Sequence, residues 1–280
     1  MRTRTVAIAL AGLVAVGVLG AASVALMWDP NPTFEPAPND AASRITDDEL
    51  SRAAEVRVFF GHMSVGKNVL SGVRQLYEDH GLPTPAFVEL PSMVGAAPGR
   101  LPEIDAAGGV LVHALIGENR HPYRKLENFE ATLRGGLAAR VDVALIKFCY
   151  VDIRWDTDVD RLFAAYTETM DRLEKDFPDV RFVHVTAPLS TGPYGVKDRI
   201  KVLVGRNDNA TRARYNEMLR SAYPDEQIFD LAAVEASGPD GAPRPELYAG
   251  YSNDGEHLND TGSALAAVEF LRTVSGQSGG

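Results

Sequence analysis

Three regimes of hydrophobic patterning follow one another along the chain. In the first, Arg2 and Arg4 precede an uncharged, Ala-, Val-, Leu- and Gly-rich run at 5–28. A run of about 20 apolar residues is long enough to cross a bilayer, and the basic flank predicts a cytoplasmic N-terminus. Residues 1–28 therefore read as a targeting segment, either an uncleaved signal anchor or a signal peptide cut after Ser23-Val24-Ala25. Both alternatives export the body of the chain, and the lack of a cysteine after the run excludes a thioether lipid anchor. The second regime, 29–45, carries four prolines and no periodicity, as an extended linker does. The third, 46–280, alternates two periods.

In that third part short apolar runs at 56–60 (VRVFF), 85–89, 109–115, 141–148 and 181–187 predict strands. Between them apolar residues recur at helical spacing, as in Val65, Val69, Leu70, Val73, Leu76 and Tyr77, or Leu162, Phe163, Tyr166, Met170 and Leu173. Residues 208–222 and a run opening at Asp260, taken as its N-cap, predict two final helices. Residues 226–231 suit an added strand or an extended connector. Apolar strands alternating with helices imply an α/β fold, a three-layer sandwich whose parallel sheet of about five strands is covered by helices on both faces. Chemistry in such sheets gathers at the carboxyl ends of the strands, so the loops after 60, 115, 148 and 187 are the places to search.

Composition narrows the partners. The formal net charge is −10, and Arg2 and Arg4 are the only charges in the first 28 residues. An acidic body repels phosphate backbones and anionic lipid, which argues against nucleic acid and leaves the N-terminal segment as the only route to a membrane. The single cysteine, Cys149, excludes internal disulfides and multi-cysteine metal sites.

The loop GHMSVGKN at 61–68 admits three readings. Gly61-x4-Gly66-Lys67 has the spacing of a phosphate loop, but Asn68 replaces the Ser or Thr that would hold magnesium. Ser64 is either a helix N-cap or a nucleophile whose oxyanion would face the backbone N–H groups at a helix N-terminus. At the other end of the domain, YSNDGEHLNDTG at 251–262 sets Asp254 three residues before His257, so that the carboxylate can orient the imidazole as a base. His62, His113 and His121 make a metal site only if three loops converge. Cys149 reads as a buried small residue rather than a nucleophile, because His184 lies on another strand.

Ser64 first and Asp254-x-x-His257 last, over 55–275, resembles the SGNH/GDSL hydrolase superfamily. The resemblance implies a flavodoxin-like sheet, a Ser64–His257–Asp254 triad, no cofactor or metal, and activity as an esterase, lipase or carbohydrate deacetylase. Two departures stand out. The usual Gly-Asp-Ser is here His62-Met63-Ser64, and the family's Gly-x-Asn-Asp is Cys149-Tyr150-Val151-Asp152, with valine where an oxyanion-binding asparagine belongs. The oxyanion hole would then take the backbone N–H groups of Ser64 and Gly117, and either Asn119 or Tyr150 for the missing donor. Asn119 ranks first because its amide resembles the lost group. The expected function is an exported serine esterase acting on acyl esters, acetyl esters among them, of carbohydrate or envelope material. The alternatives are an O-acyltransferase of the same fold and a degenerate polysaccharide-binding module. Residues 91–100 and 190–208 are expected to line the site.

Overall fold

The computed structural model describes residues 34–93, 104, 108–193 and 195–277 of the 280. The apolar run at 5–28 and most of 91–100 lie outside these. No helix among the described residues is long and apolar enough to cross a membrane.

Helix α1 (Asp47–Ala53) opens on a capping box, in which the Thr46 side chain accepts from the Glu49 backbone and Glu49 reaches back to the Thr46 N–H. Then follow β1 (Arg57–His62), α2 (Ser64–Asp79), β2 (Ala86–Glu89), β3 (Val110–Leu115), α3 (Pro122–Thr132), β4 (Val143–Ile146), α4 (Val159–Asp176), β5 (Arg181–Val185), α5 (Gly195–Leu203), α6 (Asp208–Ala222), β6 (Ile228–Phe229), α7 (Leu231–Ala236) and α8 (Asp260–Val274). The strands form one six-stranded sheet in the order β2-β3-β1-β4-β5-β6, and every pair is parallel.

Without the edge strand β2, the order β3-β1-β4-β5-β6 is second, first, third, fourth, fifth, which is the flavodoxin-like winding. The five expected strands are all present. The sixth, β6, is a two-residue strand inside the segment at 226–231 that the pattern left undecided. Helix α5 lies in the stretch 190–208, which reads as loop in the sequence. Alternation along each strand feeds opposite layers: Phe60, Val143, Leu145 and Val183 pack on one side with α2 and α8. Phe59, Ala144, Ile146 and Phe182 pack on the other with α3, α4 and α6.

Two features differ from the expected boundaries. Asn259, not Asp260, caps α8: it is extended (φ −78°, ψ −176°) and its side chain accepts from the Gly262 N–H, while Asp260 is already helical. The packed domain also begins upstream of Thr46. Ala37, Ala41 and Ile45 are buried, and the Ala37 N–H donates to the Gly250 carbonyl while Thr261 Oγ1 donates to the Ala37 carbonyl.

Helices α2 and α8 cross closely. A Cβ on Gly72 would stand 2.1 Å from the Ser263 carbonyl oxygen, so Gly72→Ala must push the helices apart. Although alanine favours a helix by about 1 kcal/mol, overpacking of this kind costs about 1–3 kcal/mol. Urea unfolding should show a net loss. A second expectation concerns acid. Burial holds His184 at a pKa of about 3, below the unfolded value, so the unfolded chain takes up a proton that the folded one excludes. The stabilising effect is complete above about 6.5 and is lost as pH falls. Between pH 7 and pH 5 the wild type should lose about 2 kcal/mol more stability than His184→Phe by the same assay.

Candidate active site

The winding reverses at β1, which lies between β3 and β4, and this is where an open α/β sheet forms its crevice. Register brings the three strand ends level, with His62 beside Leu115 and Gly61 beside Ile146. The loops after β3 and β4 therefore flank the β1–α2 junction. That junction is a single residue, Met63, which occupies the N-cap position without a side-chain cap. Ser64 is thus the first helical residue and not the cap. Among the described residues its half-buried hydroxyl takes no hydrogen-bond partner.

The same geometry removes the phosphate-loop reading. Gly61 lies inside β1, and Gly66 and Lys67 lie in the first turns of α2, leaving no loop to wrap a phosphate. A Cβ on Gly66 would fall 2.4 Å from the His62 ring. His62 is buried, with Nε2 3.3 Å from His113 Nδ1 and Nδ1 donating to the Met63 carbonyl at 3.0 Å. Burial drives its pKa down to about 3, so both this ring and its neighbour, also lowered mainly by burial, are neutral supports beneath Met63 and Ser64. His121 is exposed and faces Glu118 instead. No group of three potential metal ligands exists among the described residues.

His257 lies in the turn before α8. Its Nδ1 donates to Asp254 Oδ2 at 2.7 Å. Asp254 Oδ1 accepts the backbone N–H groups of Glu256 and His257 at 2.9 and 2.7 Å. Burial works to raise the Asp254 pKa, but the His257 N–H, the imidazole and the Glu256 N–H outweigh it and hold the carboxyl below its ordinary range. An ionised carboxylate only accepts, so Nδ1 carries a proton, and in the neutral imidazole the lone pair lies on Nε2. The turn needs Gly255, whose φ is +86°. Thr191 fastens it, its N–H and Oγ1 both donating to the Gly255 carbonyl. His257 and Ser64 are not hydrogen-bonded to one another in this structure.

Gly117, at φ +60°, is buried where a side chain would strike Lys125. The N–H groups of Ser64 and Gly117 take no acceptor among the described residues. Asn119 is exposed, and its Oδ1 accepts from Lys125 Nζ at 3.3 Å. Tyr150 is engaged elsewhere. Its hydroxyl donates to Glu256 Oε2 at 2.8 Å, and its ring meets the His257 ring edge to face at 5.8 Å. Burial, with Glu256 beside it, raises the phenol well above its usual value. Val151 turns its side chain to the α2 side of the core. Cys149 is fully buried, with Sγ 3.9 Å from Lys147 Nζ. His184 instead bonds Tyr166 and stacks on Tyr223.

Several contributors are not among the expected residues. Asp152 is buried and accepts from Cys149 N–H, Arg120 N–H and Lys125 Nζ, at 2.6, 2.8 and 2.5 Å. Arg212 donates to the carbonyls of Tyr150 and Ile153 and to Ser190 Oγ, joining the loops after β4 and β5. Glu256 is identified only by its contact with Tyr150. The stretch 190–208 does reach the neighbourhood, since Ser190, Thr191, Asp198, Lys201 and Arg206 share a cavity of about 300 Å³ with Asp254 and Glu256.

No protein-family model and no curated protein sequence matches the chain. Solved structures do. An acetyl xylan esterase is 17% identical with a TM-score of 0.47, covering 77% of this chain and 98% of its own. A protein assigned to the lipolytic G-D-S-L family, from Desulfitobacterium hafniense, is 10% identical at 0.45, covering 78% and 99%. The periplasmic domain of a lipopolysaccharide acetyltransferase from Salmonella ser. Paratyphi A is 10% identical at 0.40, covering 79% and 86%. At such identities the likeness is one of fold, and the chemistry rests on this chain's own residues.

Proposed function

We propose that the protein is a serine esterase, in which Ser64 attacks the acyl carbon of an ester, His257 Nε2 takes the hydroxyl proton, and Asp254 holds the imidazole. The observation that carries this reading is the Asp254–His257 pair. It fixes the tautomer with Nε2 as the basic nitrogen, in the turn before a helix that packs directly on the helix opened by Ser64. The tetrahedral intermediate would place its oxyanion against the N–H groups of Ser64 and Gly117 and the Asn119 amide. His257 then returns the proton to the leaving alcohol. Water resolves the acyl-serine by the reverse sequence; a sugar hydroxyl in its place makes the same site an O-acyltransferase. The substrate class we favour is an acyl ester of carbohydrate or envelope material, because we read residues 1–28 as a targeting segment that would export the domain.

A fluorophosphonate probe should label Ser64, as located by mass spectrometry. Ser64→Ala and His257→Ala should each slow hydrolysis of a short acyl ester by about 10⁴-fold, and the double variant little more, because the two act as one unit. Asp254→Asn should cost less. An unchanged rate in Ser64→Ala removes serine catalysis, and an unlabelled, inactive wild type favours a polysaccharide-binding module. The full-length chain should fractionate with membrane and be digested by protease added outside it. A soluble domain beginning at Leu26 would establish cleavage, and a cytosolic one would refute export.

A further inference from the structure

A carboxamide stabilises an oxyanion only with its N–H end. Its carbonyl end, turned the same way, repels the developing charge. Asn119 is exposed on the loop after β3, so something must set which end faces the reacting centre. The structure supplies this from beneath. Lys125, in the first turn of α3, is completely buried, and its ammonium donates to Asn119 Oδ1 at 3.3 Å. Ammonium is a donor only, so the amide oxygen is drawn to Lys125 and the NH₂ group is left facing away from it.

The lysine is itself held. Asp152 Oδ2 accepts its proton at 2.5 Å, and the same carboxylate takes the N–H groups of Cys149 and Arg120, so neither partner can swing. Gly117 completes the arrangement. A Cβ there would stand 2.5 Å from Lys125 Cγ and 2.8 Å from its backbone nitrogen, so the glycine that offers its N–H also opens the path by which the lysine stem passes beneath the loop.

We propose that Lys125 is a positioning residue that fixes the Asn119 amide with its N–H turned to the oxyanion, replacing the asparagine displaced by Val151. This rests on the reading of Ser64 as nucleophile. Asn119→Ala should lower kcat by about 10²-fold with KM unchanged, since the bond forms mainly in the transition state. Asn119→Asp keeps an acceptor for Lys125 but has no N–H, and should fall at least as far. Lys125→Met should lower kcat about 10-fold at unchanged KM. On an Asn119→Ala background it should do nothing more, whereas a merely structural lysine would give additive losses. Fluorophosphonate labelling rates should fall in parallel.

Should Lys125→Met unfold because Asp152 is left unpaired, Lys125→Met/Asp152→Asn removes both charges and is read in the same way. Asn119→Asp, on an exposed side chain, tests the amide without touching the buried pair. Additive losses, a change confined to KM, or an unchanged kcat in Asn119→Asp would overturn the proposal while Ser64 is still labelled and turning over. A wild type neither labelled nor active would overturn the nucleophile reading, and this inference with it.

Discussion

The close approach of Gly72 to the Ser263 carbonyl sets the distance between the two helices that the proposed site depends on. Ser64 opens α2 and His257 precedes α8, nearly two hundred residues apart in sequence. Because glycine allows the two helix backbones to approach with no side chain between them, the helix that Ser64 opens and the helix that follows His257 are packed directly on each other. A site carried by a helix N-terminus and a capped turn has little conformational freedom to lose on binding. Asn259 adds to this. It caps α8 through Oδ1 while its Nδ2 holds the Gly250 carbonyl at 2.9 Å, so one side chain fixes both where the helix starts and where the turn before it begins.

On the opposite side of Ser64 the constraint is ionic rather than steric. Asp152 gathers two backbone donors and one ammonium in a buried environment. Burying such a pair adds little net stability over an apolar one of the same shape, but it strongly restricts where its members lie. The loops after β3 and β4 are thereby held together in front of β1. The price is a dependence on completeness, since removing one charge leaves the other desolvated and unmatched.

The fold was largely legible because its two periods are clean and because both faces of a parallel sheet must be covered. The Asp254–His257 pair was legible from spacing alone, since three residues of turn suffice to close that bond. What escaped were features created by tertiary proximity. Two residues of β6 carry too little pattern to be distinguished from a connector. Lys125 carries a charge and drew no expectation, yet it shares a helix face with Asn128, Phe129 and Thr132, all buried. Helical periodicity therefore contained the signal, and charge obscured it. Asn119 ranked ahead of Tyr150 as donor on chemical likeness alone, and Glu256, an unremarked residue inside the best motif, proved to hold the phenol.

The residues from Ala37 to Ile45 give the molecule a mechanical property. The chain enters the folded body by clasping the Gly250 carbonyl and the Thr261 hydroxyl, the two flanks of the turn that carries Asp254 and His257. Load applied to residues 37–45 is therefore shared by that turn. A recombinant domain begun at Thr46 would lack this strut, and with it both hydrogen bonds to the flanks of the turn.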